Sequence, residues 1–415
     1  MEGDDGVAGG ERRPDGRDDE RVGLRELGRL RMVRSRGQAQ AYLALAQVSE
    51  KRGDFAQAGA WLDRIEAQTR GEVRGGLDRG LVPRVRCICQ AELDGIHPHR
   101  FRHLVFAIDG HNDCLGRIHA EARVELVKLE FPRAGTARNV FAAARELRRL
   151  RPDLLVTYNW GAIEWALAAA LTGMPNLHVV DGFGPEEADR QLARRVWFRR
   201  LALARCARTV VPSQTLLRLA SDVWRLPANR LVHIPNGIDV ERFTRPPDAR
   251  LVEGLGIRRD RPVIGTVATL RREKNIPRLL QAFGQLAEQV PVSLVVVGDG
   301  AEHQGLKAKA AAMGLGEGVI FAGAIDDPAR ILGAFDIFAL SSDTEQMPVS
   351  VIEAMAAGLP VASVDVGDVK DMVSPENGPF VVERQAEALA GALFRLLSSA
   401  DDRKIIGAAN GERAR

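Results

Sequence analysis

From about residue 100 onward, short continuous apolar runs alternate with stretches in which apolar residues recur every three or four positions. The runs predict buried strands, and the longer helical periods predict helices packed over them. Strands are expected at His103–Ile108, Leu154–Tyr158, Leu177–Val180 and Thr209–Pro212. Beyond the connector Arg245-Pro246-Pro247 they are expected at Val263–Ala268, Val292–Val297, Val319–Phe321, Ile337–Leu340 and Pro360–Val364. Helices fill the intervals, among them Asn139–Leu150, Arg278–Gln289 and Val349–Ala357. Strands alternating with helices form βαβ units, whose strands pair in parallel. The two series therefore predict an α/β protein with two doubly wound, Rossmann-like domains, residues 75–244 and 245–395, followed by a helix over 396–415. Ligands of such domains collect at the carboxyl ends of the strands, so the expected site lies in the cleft between them.

The N-terminal part reads differently. Residues 1–40 hold nine Arg, nine Asp or Glu and eight Gly, with few apolar residues before Leu24. Such a segment buries too little surface to offset the entropy of ordering, and disorder is expected. Residues 41–74 regain helical spacing on both sides of Gly53-Asp54 and predict a helical hairpin leaning on the main body.

Composition narrows the class without naming a chemistry. With 45% hydrophobic and 27% charged residues, a wholly disordered chain is excluded. Lys and Arg total 58 against 55 Asp and Glu, a net charge of +3, too balanced for nucleic acid as the main partner. The four cysteines are scattered, as in a reduced compartment. Cys87 and Cys89 have no second pair at zinc spacing, and no metal or other cofactor is expected. No apolar run reaches the ~20 residues of a membrane span, and the N-terminus lacks the apolar region of a secretory signal. A cytoplasmic protein is the expectation.

The sharpest stretch for chemistry is SSDTEQMPVSVIEAMAAGLPVASVD, residues 341–365. It follows the strand-like DIFAL, so its loop belongs at a strand's carboxyl end. Pro348 suits the first turn of a helix, where its missing N–H is not needed, and Gly358 suits the stop. The exposed amides and positive dipole end of that helix would make an anion site facing the cleft. Glu345 precedes the helix and Glu353 lies about 7 Å along it, five residues past Pro348 at 1.5 Å each. Two carboxylates flanking an anion site suit a ligand with hydroxyls at both ends and phosphate between, as in a sugar nucleotide. Spacing alone leaves equally open a solvated loop charge for Glu345 and a helix-face ion pair for Glu353.

Glu345 and Glu353, followed by AMAAGLPVASVDVGD, together with PNGID at Pro235–Asp239 and LRREKN at Leu270–Asn275, resemble glycosyltransferase family 4. The resemblance runs from about Gly75 to Arg415. It implies the two-domain GT-B fold and metal-free, retaining transfer of a sugar from a nucleoside-diphosphate donor to a glycan or lipid-linked acceptor. By that resemblance Glu345 holds the donor-sugar hydroxyls, Glu353 holds the ribose, and the backbone of Gln346, Met347, Pro348 and Val349 faces the diphosphate. Lys274 would meet the leaving diphosphate, for which a compact ammonium is apt. Thr269 stands where the family usually has an arginine, leaving Arg271 or Arg272 to compensate. Gly75-Gly76 resembles the family's glycine-rich loop, although no apolar strand precedes it here. The helix over 396–415 is shorter than the usual closing helix.

Two further segments, TYNWGAIEWA and HVVDGFGPEE, each follow an apolar run and belong on the cleft side. They make Asn159, His178 and Asp181 candidates for acceptor or sugar contacts, with a purely structural turn equally open. The stretch Asp189–Arg208 carries seven arginines among Trp197, Phe198 and leucines. As a basic helix it reads first as a solvated face, and it would also suit peripheral contact with an anionic membrane on the cytoplasmic face. Two alternatives stay open: a sugar-nucleotide-binding scaffold that has lost transfer, and a sugar-nucleotide epimerase on the same fold.

Overall fold

The computed structural model describes residues 103–106, 124–127, 136–183, 187 and 190–415. The charged segment 1–40, the hairpin 41–74, Gly75-Gly76 and the Cys87/Cys89 pair lie outside the described residues.

The second half of the chain is built on six parallel strands: β7 (Val263–Val267), β8 (Ser293–Val297), β9 (Val319–Gly323), β10 (Ile337–Leu340), β11 (Val361–Val364) and β12 (Val381–Val382). Their spatial order is β12-β11-β10-β7-β8-β9. Counted from β7, this is the Rossmann order, with the direction of winding reversing between β7 and β10. Both faces are covered, so the strands are apolar throughout rather than alternating. In β8, Leu294 and Val296 enter one core cluster and Val295 and Val297 the other. The helices Ile276–Ala287 and Ala386–Ser398 close one face, and the helix Val349–Ala356 packs on the other.

The final helix, Ala400–Arg413, lies against the end of helix Val349–Ala356. Asn410 is fully buried there: its amide donates to Leu359 O (2.9 Å) and Asn377 Oδ1 (2.8 Å), and its oxygen accepts from Ser374 N (3.0 Å). The backbones approach so closely that a Cβ on Gly407 would come within 2.0 Å of Gly358 O.

The first half contributes a four-stranded parallel sheet in sequential order, β3 (Leu155–Tyr158), β4 (Asn176–Val179), β5 (Arg208–Val211) and β6 (Leu231–His233). A separate parallel pair is formed by β1 (His103–Val105) and β2 (Val124–Leu126). The strands β2, β6 and β12 have no counterpart among the sequence expectations. Each is only two or three residues long, too short to produce a periodic signal. The arginine-rich helix is also shorter than its sequence suggests and spans Ala193–Leu203. Among the described residues no helix is long and apolar enough to cross a membrane.

Candidate active site

Because β7 and β10 are neighbours at the reversal point, the loops leaving their carboxyl ends meet. They meet through side chains. Lys274 Nζ donates to Glu345 Oε1 at 2.5 Å, with both side chains largely buried, and Ser342 Oγ donates to the same oxygen at 2.8 Å. Four further bonds hold the two loops in register. Ser341 Oγ donates to Lys274 O (3.0 Å) and Asp343 N to Glu273 O (2.8 Å). Arg278 reaches both Ser341 O (2.8 Å) and Asp343 Oδ1 (2.7 Å).

Asn275 makes the joint possible. It sits in the left-handed region (φ 43°, ψ 47°), which asparagine tolerates better than most residues, and its side chain accepts from Arg278 N to cap the next helix. Its amide nitrogen also donates to Asp343. Of the two neighbouring arginines, Arg271 is spent on Glu273 (3.1 Å), whereas Arg272 is exposed with no ion-pair partner among the described residues.

Pro348 is the N-cap of helix Val349–Ala356, one residue before the first helical turn, and Gly358 follows its end at φ +73°. The amides of Val349 and Ser350 have no intrahelical acceptor. Glu353 is buried within this helix, only 4% exposed. The carbonyls of the preceding loop are already taken: Met347 O accepts from Asn236 Nδ2 (2.8 Å) and Gln346 O from Asp368 N (2.8 Å). Asn236 belongs to the PNGID segment, so that motif is tied to the loop from the outside.

The first domain reaches the same loop. Ser213 Oγ donates to Gln346 Oε1 (3.3 Å), and the Asp368 carboxylate accepts from the amides of Gln214 (2.5 Å) and Thr215 (3.1 Å). Ser213 and Asp368 went unnoticed in the sequence. The available signal was position alone, since each closely follows an apolar strand.

Asn159 and Asp181 are joined directly: Asn159 Nδ2 donates to Asp181 Oδ2 (3.2 Å), and Asp181 N donates to Asn159 Oδ1 (2.7 Å). Asn159 has φ 52° and ψ −169°, a conformation that needs such bonds to persist. His178 is different. It is 1% exposed in the middle of β4, with Nδ1 2.8 Å from Thr157 Oγ1. Burial, with a further push from Arg199, lowers its pKa from 6.5 to about 3, so it is a neutral core histidine and not a cleft residue.

The arginine-rich helix is less basic outward than its composition implies. Arg199 and Arg195 turn inward onto the buried Glu187, with Arg199 bidentate at 2.6 and 2.9 Å and Arg195 at 3.0 Å. The Arg199 guanidinium lies 5.0–5.2 Å from the ring centroids of Trp160, Phe183 and Trp224. Burial works against a charged Glu187, yet the hydrogen bonds and charge of Arg199, helped by Arg195, prevail and hold its carboxyl below the ordinary range. Arg200 donates to Val223 O.

Comparison with known proteins gives the family. Residues 249–413 match the model described as "Glycosyl transferases group 1", and residues 94–242 match "Glycosyltransferase Family 4". The chain is 31% identical over 298 residues to the 2-deoxystreptamine N-acetyl-D-glucosaminyltransferase of Streptomyces fradiae, covering 65% of this chain and 69% of that protein. It is 32% identical over 205 residues to a GDP-mannose-dependent phosphatidylinositol monomannoside mannosyltransferase of Mycolicibacterium smegmatis, covering 46% of this chain and 52% of the relative. Against several such relatives, then, the chain spans about half their length. Among solved structures, Anabaena HepE in complex with UDP-glucose superposes with a TM-score of 0.62 at 19% identity, covering 75% and 86% of the two chains. That likeness shows the GT-B fold. The chain belongs to glycosyltransferase family 4.

Proposed function

We propose that this chain transfers a glycosyl unit, with retention of configuration, from a nucleoside-diphosphate sugar to a glycan or lipid-linked acceptor in the cytoplasm. The observation that carries the reading is the convergence of Lys274 and Glu345 beside the start of helix Val349–Ala356, at the sheet's reversal point. Lys274 and Glu345 form the catalytic pair. Glu353 takes the ribose hydroxyls, and Gln346, Met347, Pro348 and Val349 border the diphosphate. Of Arg271 and Arg272, it is Arg272, with no ion-pair partner among the described residues, that takes the place of the family arginine. In the first domain, Asn159 and Asp181 face the acceptor side.

Both bonds recorded at Glu345 go to Oε1, which leaves Oε2 for a donor-sugar hydroxyl. As the bond between the anomeric carbon and the diphosphate oxygen breaks, negative charge grows on that oxygen. Lys274 and the helix amides stabilise it without rearrangement. The acceptor hydroxyl attacks the same face, and its proton passes to the departing diphosphate. Arg194, exposed on the arginine-rich helix, and Arg205, exposed in the turn after it, would support peripheral membrane contact if the acceptor is carried on lipid.

A thermal-shift screen against UDP, GDP and ADP tests the donor reading, since only a ligand favouring the native state raises the melting point. With the best nucleotide's sugar as donor, NMR of the product's anomeric proton tests retention. A melting point indifferent to all three nucleotides refutes the reading. Binding without turnover points to the scaffold, and sugar release without an acceptor points to the epimerase.

A further inference from the structure

A cleft of about 790 Å3 separates the helix Ala193–Leu203 from the loops after β10 and β11. Glu345 lines it and Lys274 does not, which suits the approach of a second substrate to the proposed donor sugar. On the first-domain wall stands Trp197, an indole left 62% exposed. Three guanidiniums line the same space, Arg190, Arg200 and Arg384. None has a carboxylate partner among the described residues: Arg200 donates to Val223 O, Arg384 donates to Asp343 O (3.0 Å), and Arg190 is exposed. Of the acids in the lining, Glu187 is paired with Arg195 and Arg199, Asp343 with Arg278 and Glu345 with Lys274, while Asp365 is exposed with no ion-pair partner among the described residues.

Among the described residues the lining therefore sets three guanidiniums against one unpaired acid, a net positive charge beside a flat apolar surface. Guanidiniums bind phosphate oxygens in pairs, and an exposed aromatic face suits the C–H face of a sugar ring. We infer that this cleft is the acceptor subsite, and that its ligand is a phosphorylated sugar: the ring on Trp197, the phosphate or diphosphate on Arg190, Arg200 and Arg384. The inference rests on the glycosyltransferase reading and adds the class of acceptor to it. The phosphate belongs either to a free sugar phosphate or to the headgroup of a lipid-carried sugar, which share this chemistry.

The test uses the full chain saturated with UDP, so that the donor pocket is filled. Binding of α-glucose 1-phosphate and of uncharged methyl α-glucoside is measured by calorimetry and saturation-transfer NMR. The expected result is at least about tenfold tighter binding of the phosphate. Arg190→Gln should erase most of that preference, and Trp197→Ala should remove saturation transfer to the ring protons while Trp197→Phe retains it. UDP affinity should be unchanged in all three. Vesicles containing undecaprenyl-phosphate sugar, compared with plain phosphatidylglycerol vesicles, separate the two phosphate sources; sugar-dependent capture identifies the lipid-carried form. Equal binding of the two glucosides, or a preference untouched by both Arg190→Gln and Trp197→Ala, overturns the inference. So does vesicle binding that ignores the sugar but vanishes in Trp197→Ala, which would make this face a membrane contact. If UDP fails to bind the wild type, the donor reading falls, and the glucose 1-phosphate series still decides the cleft.

Discussion

Asp368, in the second domain, accepts hydrogen bonds from the backbone amides of Gln214 and Thr215 in the first. One carboxylate thus caps a helix across the domain boundary, while the amide of the same residue holds Gln346 O in the proposed donor loop. Domain closure and donor-loop geometry share one residue. Hydrogen bonds to a charged group contribute about 1.5–3 kcal/mol, so Asp368→Asn should favour an open form. Small-angle scattering should show a larger radius of gyration, and UDP affinity should fall. An unchanged radius would mean that other contacts hold the domains.

Lys274→Ala removes the cation facing both Glu345 and the proposed diphosphate. Nucleoside-diphosphate affinity should drop by about 2 kcal/mol, roughly 30-fold, measured by calorimetry. Glu345→Gln keeps Lys274 and should leave diphosphate affinity nearly intact while turnover falls about 100-fold. Equal losses of affinity in both variants would contradict the division of labour.

Gly367 has φ +56°, and a Cβ there would lie 2.5 Å from Gln346 O and 2.7 Å from Glu345 O. Both the left-handed backbone and the clash oppose any side chain. Gly367→Ala should cost about 1–3 kcal/mol of stability, read by urea denaturation, and should displace the donor loop enough to weaken nucleotide binding.

The buried Glu187–Arg199 pair predicts a different response. Removing one partner leaves a charge in the interior, so Arg199→Met should destabilise by about 3–5 kcal/mol, and Glu187→Met with Arg199→Met together by much less. Because the Glu187 pKa is depressed in the folded state, its contribution is complete above the ordinary carboxylate range. It is lost as the pH falls through the lowered value.

His178 sets a second acid limit. Folded, it stays neutral down to about pH 3; unfolded, it takes a proton near 6.5. Stability should therefore fall as the pH drops from 6.5 towards 3, by at most about 1.4 kcal/mol per pH unit from this residue. Melting curves of His178→Asn should lack that component of the slope between pH 6 and 4.

The sheet architecture was readable because its strands are unbroken apolar runs divided by helical periods. The site was only half readable. Each loop's place at a strand end follows from the pattern, but the meeting of Lys274 with Glu345, 71 positions apart, requires β7 to lie beside β10. Strand order leaves no local mark in the residues. Arg195 and Arg199 read as part of a solvated basic face because helical spacing does not reveal a buried carboxylate eight or twelve positions earlier. His178 invited a functional reading because its strand continues towards the cleft, whereas its side chain points into the sheet's interior.

The tight seat of Gly407 against Gly358 gives the last helix a lever on the proposed donor pocket. Any bulk added there acts as a wedge beneath the helix carrying Glu353, and the backbone that would have to yield belongs to that helix's own stop. Gly407→Ala should therefore lower nucleotide affinity in the same sense as Glu353→Gln, although it lies outside the proposed pocket.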